Sequence, residues 1–391
     1  MTRIDLWPEQ PAIQAGQIEI GFTLEHAQGT RTRGWYRLPS EHRAAITESC
    51  DPFVLAALFT AMGTSADLLV HGAVSPSLLR NLEEFQAIWH AWFPDRYQPV
   101  EILAETEQEA GRAAGSAAVM TFSGGLDSAF TAWRHRTGQA GRQTENLQAG
   151  VILHGFDLPL KSEKAFDHAY ERAHIMLDSL GMETISMVNN LRGLGGVFAD
   201  CHAAILVSCL SLLQKRFSVG LIADSREHLV LLYPWGLPYS SNALSDRFLS
   251  SDAFTIQHDG AGYWRLDKSR ALSGWPEAMS NLRICLGHDP LLRVRNCCRC
   301  EKCIRTILTF RVLGLALPAC FERDVSNRQI LRMSYDNPMN FYYFGRLLEE
   351  ARRQRIRASW VRALRLSILW NSLLLPFRRS EFFHRVYARL R

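Results

Sequence analysis

Ala118-Val119-Met120-Thr121-Phe122-Ser123-Gly124-Gly125-Leu126-Asp127-Ser128 is the stretch from which the rest of the chain takes its meaning. Its first five residues form the short, unbroken apolar run of a strand buried on both faces. A helical pattern begins at Asp127 and runs to His135. Between strand and helix the backbone N–H groups of a first helical turn lack intrahelical partners, and the helix dipole places partial positive charge there. Such a terminus binds anions. Two consecutive glycines permit positive φ and let the backbone approach a bulky anion without a Cβ in the way. Ser123 and Ser128 add hydroxyl donors, and Asp127 offers a carboxylate suited to Mg²⁺. The hexapeptide Ser123–Ser128 is therefore a phosphate cradle. It lacks the lysine of a Walker loop, which excludes a P-loop that transfers the γ-phosphate.

Outward from this loop, strands and helices alternate. Gly150–His154 is a second buried strand, Ser162–Gly181 a long helix, and Glu183–Val188 a third strand. Ala203–Lys215 is an apolar helix and Val219–Ala223 a fourth strand. This alternation predicts an α/β fold, a doubly wound parallel sheet with helices on both faces. Ligands of such sheets sit beyond the carboxyl ends of the strands, where both the glycine loop and Asp224 fall. Ahead of it, the spacing predicts strands over Gln17–Leu24, Gly34–Leu38 and Asp67–Val70, a helix over Pro52–Met62, and another ending near Trp92. Ser75 is the N-cap of that second helix and Pro76 its first residue. The organisation expected is an N-terminal α+β domain over 1–115 and a nucleotide-binding core over 116–282. A cysteine-rich segment over 283–320 and a basic helical region over 321–391 complete it.

With 391 residues, 47% of them hydrophobic, the chain can bury its core without staples. A formal net charge of +5 is too mild to imply nucleic-acid binding by itself. No run of about 18 apolar residues is present, so no transmembrane helix is expected. The N-terminus has no apolar run behind a basic start, so no signal peptide is expected either. Nine cysteines without an export signal point to a reducing cytoplasm.

Four of those cysteines crowd into Cys297-Cys298-Arg299-Cys300-Glu301-Lys302-Cys303. Cys297-x2-Cys300-x2-Cys303 lets three thiolates converge on one ion, and Cys285 is the natural fourth ligand of a tetrahedral zinc site. Cys298, between two ligands, should point away. An iron–sulfur cluster is the rival occupant.

The glycine loop resembles the signature of the ATP-pyrophosphatase (PP-loop) superfamily, whose fold is adenine nucleotide alpha hydrolase-like. Loop and downstream cysteine triplet together look like the 7-cyano-7-deazaguanine synthase family. Phe156-Asp157, after the second strand, resembles that family's Phe-Asp segment, and Asp267-Lys268 its Asp-Lys pair before the zinc cysteines. The resemblance covers roughly Ala117 to Leu313. It implies an AMP-forming ligase: a substrate carboxylate is adenylated by ATP, pyrophosphate leaves, and ammonia or an amine attacks to form a C–N bond. It implies that Ser123, Gly124, Gly125, Leu126, Asp127 and Ser128 hold the ATP phosphates, with Phe156 and Asp157 near the nucleotide. Lys268 would offset charge on departing pyrophosphate; Cys285, Cys297, Cys300 and Cys303 would hold Zn²⁺. The chain departs from that family at Tyr233-Pro234-Trp235-Gly236-Leu237-Pro238 and at Leu158-Pro159. The acceptor is thereby left open: a deazaguanine-like or other small carboxylate, with a peptide or protein amine among the nucleophiles.

Substrate candidates on the same side are Asn190 and Arg192 after the third strand, His202 opening the apolar helix, and Asp224 ending the fourth strand. A guanidinium at 192 suits a carboxylate clamp. Between Arg352 and Arg391 there are eleven arginines and one acid, Glu381. Three readings of this tail stay open: a packed helix, a dock for RNA or an acidic partner, and a membrane-surface helix. Two alternatives to the ligase also stay open. One is a tRNA-modifying PP-loop enzyme that adenylates a base oxygen; the other is a nucleotide-binding scaffold without turnover.

Overall fold

The computed structural model describes residues 2–224, 241–285, 295–335 and 338–378. The front of the chain supplies strands β1 (Thr2–Pro8), β2 (Ala12–Gln14), β3 (Gln17–His26) and β4 (Arg31–Pro39). Helix α1 (Asp51–Thr64), β5 (Ala66–Val74), α2 (Pro76–Trp92) and β6 (Ile102–Glu107) follow. The β3–β4 pair is an antiparallel hairpin whose two faces differ, as alternation demands. Ile18, Ile20, Phe22 and Leu24 point inward and are buried. On the outer face Arg33 bridges Glu9 and Glu19, and Arg37 pairs with Glu19 at 2.6 Å.

The chain then alternates: β7 (Ala117–Thr121), α3 (Leu126–Arg136), β8 (Asn146–His154), α4 (Glu163–Ser179), β9 (Glu183–Asn189), α5 (Phe198–Ser211), β10 (Val219–Ala223). Beyond come β11 (Thr255–Asp259), α6 (Arg265–Leu272), α7 (Pro276–Asn281) and α8 (Glu301–Val312). The last elements are α9 (Asn327–Leu331), α10 (Pro338–Arg353) and α11 (Ser359–Arg378). The fold is α/β.

Its eleven strands, counted among the described residues, form one mostly parallel sheet in the order β11-β10-β7-β8-β9-β4-β3-β1-β5-β6, with β2 on β3. The front strands thus extend the sheet that carries the glycine loop. The join is the antiparallel pairing of β4 with β9, Tyr36 opposite Asn189 and Arg37 opposite Val188. Asn190 reinforces it: its amide oxygen accepts from the Trp35 N–H at 2.8 Å, and its amide nitrogen donates to the Arg33 carbonyl at 2.8 Å.

Helices cover both faces. Val119, Val151 and Ile185 pack with α1 and α5 on one side; Ala118, Met120, Ile152 and Leu221 pack with α3 and α4 on the other. Alternation along β7 therefore buries both faces, which is why its sequence shows no polar residue between Ala117 and Met120. Ser75 is the N-cap residue of α2, with Pro76 first in the helix. Its hydroxyl, however, donates to Asp51 at 2.6 Å instead of capping α2.

Strands β1, β2, β6 and β11 are not among the strands expected from spacing; β6 and β11 are the two edge strands of the sheet, where fewer apolar residues are demanded. At the C-terminus, α11 buries Trp360, Ala363, Leu364, Ser367 and Asn371 and turns Leu366, Leu369, Trp370 and Leu373 outward with Arg362 and Arg365. Asn371 fixes this orientation by donating to the Met333 carbonyl at 3.0 Å and accepting from the Tyr335 N–H at 3.2 Å. No helix among the described residues is long and apolar enough to cross a membrane.

Candidate functional site

Strand order reverses at β7. The chain proceeds from β7 through β8 to β9 on one side, then crosses to β10 and β11 on the other. A crevice opens at such a switch point, beyond the strands' carboxyl ends. The loop after β7 and Asp224 after β10 flank it. A cavity of about 320 Å³ lies here, lined by loop residues Ser123, Gly125, Leu126, Asp127 and Ser128 and by Phe156, Asp157 and His202.

The loop has the geometry its glycines allow. Gly124 has φ +71°, in the left-handed region, and its carbonyl accepts the Arg283 N–H at 2.7 Å. The Ser123 and Ser128 hydroxyls lie 3.2 Å apart, and the Ser128 hydroxyl also donates to the Gly125 carbonyl at 3.2 Å. Gly125 caps α3 with no side chain engaged, so the first-turn N–H groups carry no side-chain cap.

Lys268, on α6, is 2% exposed and sits behind this loop. Its ammonium donates to Asp127 Oδ1 at 3.1 Å and to the Asp224 carbonyl at 2.7 Å. Burial works against charge on Asp127, but Lys268 and then Arg265 outweigh it and hold the carboxyl below its ordinary pKa. Arg265 approaches Asp127 Oδ2 at 3.7 Å.

Asp224 belongs to a second buried network. His258, on β11, meets Asp224 Oδ1 through Nε2 at 3.0 Å and Asp246 Oδ2 through Nδ1 at 2.8 Å. Burial disfavours the imidazolium, yet the two carboxylates prevail and raise its pKa to about 9. A cationic His258 thus braces Asp224, and Asp224 braces Lys268. Asp246 is itself fixed by the Ser241 hydroxyl at 2.8 Å and the Asn242 N–H at 3.0 Å.

Across the cavity Arg283 donates through Nε to the Ser123 carbonyl at 2.9 Å and pairs with Asp157 at 3.2 Å. Phe156 contacts Phe198, ring centroids 5.1 Å apart, and His202 at 6.4 Å. Lys302, from the first turn of α8, also lines the cavity; burial, then Arg305, pushes its ammonium pKa down.

Beside the cavity the thiols of Cys285, Cys297, Cys300 and Cys303 all lie within 4.8 Å of one another. The Cys285–Cys300 sulfurs are 3.7 Å apart and the Cys297–Cys303 sulfurs 3.9 Å. Thiolates held about 2.3 Å from a tetrahedral ion stand about 3.8 Å from each other, so the four could hold one metal ion such as zinc. Asn296 ties the knuckle together: its oxygen accepts the Ile284 and Cys285 N–H groups at 2.9 and 3.0 Å, and its nitrogen donates to the Leu282 and Cys320 carbonyls. Cys298 points away, its thiol donating to the Asn296 carbonyl at 3.4 Å.

Of the residues singled out from sequence, Ser123, Gly125, Leu126, Asp127, Ser128, Phe156, Asp157 and His202 line the cavity; Lys268 and Asp224 lie buried behind the loop, outside the lining, and the four cysteines converge on one another. Asn190 is committed to the β4 backbone and lies outside the cavity lining. Arg192 donates to the Phe156 carbonyl at 3.2 Å and stacks on Phe198 with its guanidinium 4.1 Å from the ring centre, also outside the lining. Tyr233–Pro238 lies outside the described residues. Sequence reasoning did not reach Arg265, Arg283, Lys302 or the His258–Asp246 pair. Lys302 had a signal, because it sits between two cysteine ligands; His258 had one in the polar residues of Thr255-Ile-Gln-His-Asp259. Comparison of the chain with family models, curated proteins and solved structures finds no match.

Proposed function

We propose that this protein is an ATP-dependent, AMP-forming ligase of PP-loop type. It adenylates a substrate carboxylate with release of pyrophosphate, then passes the acyl group to ammonia or an amine. The observation that carries this reading is the junction of an uncapped helix terminus, a glycine of positive φ and a buried lysine on Asp127, all at the sheet's switch point.

The substrate carboxylate oxygen attacks the α-phosphorus, the bond to the β,γ-pyrophosphate breaks, and an acyl-adenylate forms. The amine nitrogen then bonds the acyl carbon, AMP departs with the electron pair, and the surplus amine proton passes to solvent. The carboxylate is already ionised near neutral pH and needs no base. The loop N–H groups and the hydroxyls of Ser123 and Ser128 bind the leaving pyrophosphate. Lys268 supplies fixed positive charge where negative charge grows. Mg²⁺, bound with ATP, would neutralise phosphate charge, and Asp127 is the carboxylate placed to hold it. The apolar wall of Phe156 and Phe198 suits a planar ring, of the nucleotide or of the acceptor. The knuckle suits zinc: four thiolates leave no open position, so its role is structural.

The test combines the protein with ATP, Mg²⁺ and a panel of carboxylates and amines, measuring pyrophosphate and seeking the product by mass spectrometry. Carboxylate-dependent pyrophosphate release that Asp127→Ala abolishes is the expected result. Release with a tRNA pool alone would move the assignment to base adenylation. ATP binding without pyrophosphate release under any condition would make the protein a nucleotide-binding scaffold.

A further inference from the structure

The cysteine knuckle and the cavity share covalent neighbours. Arg283 lies two residues before the ligand Cys285, and Lys302 lies between the ligands Cys300 and Cys303. Both line the cavity. Arg283 is held from both ends: its N–H and Nε bond the Gly124 and Ser123 carbonyls at 2.7 and 2.9 Å, while Asn296 fixes Ile284 and Cys285. The segment 283–285 is therefore a direct strap from glycine loop to knuckle. Lys302 is set on the first turn of α8, whose N-cap is Cys300.

The charges there do not balance. Arg265, Arg283 and Lys302 line the cavity against Asp127 and Asp157; Asp127 already faces Lys268 and Arg265, and Asp157 faces Arg283. Arg283 Nη1 is buried and has no hydrogen-bond partner among the described residues, although a guanidinium nitrogen normally finds one. The Lys302 ammonium makes no hydrogen bond or ion pair with the described residues. This leftover donor capacity fits a multiply charged phosphate anion.

We propose that the metal knuckle sets the cavity's affinity for pyrophosphate-bearing ligands by holding Arg283 and Lys302 in place, without the metal touching the anion. It rests on the nucleotide reading above and adds the residues and the coupling. With the metal absent, four sulfurs this close have nothing to bind them and ionised thiolates repel. The 283–285 strap and the α8 N-terminus then loosen, and the two cations lose the preorganisation that makes their contacts effective.

The experiment titrates inorganic pyrophosphate and ATP into the full-length protein by calorimetry, zinc-loaded and after chelator stripping and dialysis. Lys302→Met and Arg283→Met are titrated likewise, with exposed Lys164→Met as control. Zinc content and far-ultraviolet circular dichroism accompany each sample. Each of the two variants should keep one zinc and weaken pyrophosphate binding about 10-fold or more, the loss expected of a charge-assisted contact. Stripping should weaken it at least as much, and Lys302→Met should add little once the metal is gone. In cobalt-substituted protein the thiolate-to-cobalt absorption should shift on adding pyrophosphate. Should stripping loosen the fold, the zinc-retaining variants and the cobalt band decide the matter. Unchanged affinity in Lys302→Met and in stripped, folded protein would overturn the coupling and leave the nucleotide reading intact. No pyrophosphate or ATP binding by the zinc-loaded wild type would overturn both.

Discussion

Lys268 Nζ stands 3.1 Å from Asp127 Oδ1 while donating at 2.7 Å to the carbonyl of Asp224, so one buried ammonium ties the loop after β7 to the end of β10. Substituting either partner leaves the other's charge uncompensated in a poorly solvated place. On the proposed ligase reading, Lys268→Met should lower the rate of pyrophosphate release by about two orders of magnitude, the scale of losing a preorganised electrostatic contact. Asp127→Asn should do the same, and the double variant should cost far less than the product of the two, because they act as a unit. Single-turnover pyrophosphate release checks all three.

Next to it, His258 makes stability depend on alkaline pH. Burial opposes its charge, but Asp224 and Asp246 raise its pKa to about 9, above the ordinary value of 6.5. A raised cationic group contributes stability that is full below the unfolded pKa and is lost as pH rises through the folded one. The melting temperature of the wild type should therefore fall between about pH 7 and pH 10 by more than that of His258→Asn. The contribution at stake is on the order of a few kcal/mol. Parallel slopes for the two proteins in thermal melts over this range would refute the assignment.

How much of this was legible in the sequence follows from how local each signal is. The glycine loop and cysteine triplet are contiguous, so their chemistry is written in consecutive residues. Strands β7, β8 and β10 read as apolar runs because both their faces are buried, whereas β9 is buried only at alternate positions. Asn190 misled because a polar residue after a strand suits a ligand and a backbone strut equally; only the β4–β9 pairing distinguishes them. That pairing joins residues about 150 positions apart, beyond any periodicity. His258 was hidden for the same reason: its partners Asp224 and Asp246 come from outside its own strand.

The knuckle offers a test that separates neighbouring cysteines. Cys298 has its thiol on the Asn296 carbonyl, and Cys300 stands 3.7 Å from Cys285. Cys298→Ser should retain one zinc per chain with little change in melting temperature. Cys300→Ser should lose zinc and melt markedly lower, since metal binding free energy is folding free energy. Elemental analysis with thermal melts decides; equal zinc in both variants would show that the tetrad is misassigned.

A last contrast lies in two leucines of α11. Leu364 is fully buried against the body of the protein, whereas Leu366 is 56% exposed on the outer face with Leu369, Trp370 and Leu373. The inward position of Ser367 and Asn371 decides this: Asn371 satisfies the Tyr335 N–H and the Met333 carbonyl, and turning the helix to bury Leu366 would orphan those groups. Leu364→Ala should cost about 2–5 kcal/mol in denaturant unfolding, the range for emptying a packed leucine site. Leu366→Ala should change stability by no more than about 0.5 kcal/mol. A large cost at 366 would mean that the outer face of α11 is covered in solution, and analytical ultracentrifugation would then report whether a second copy of the chain covers it.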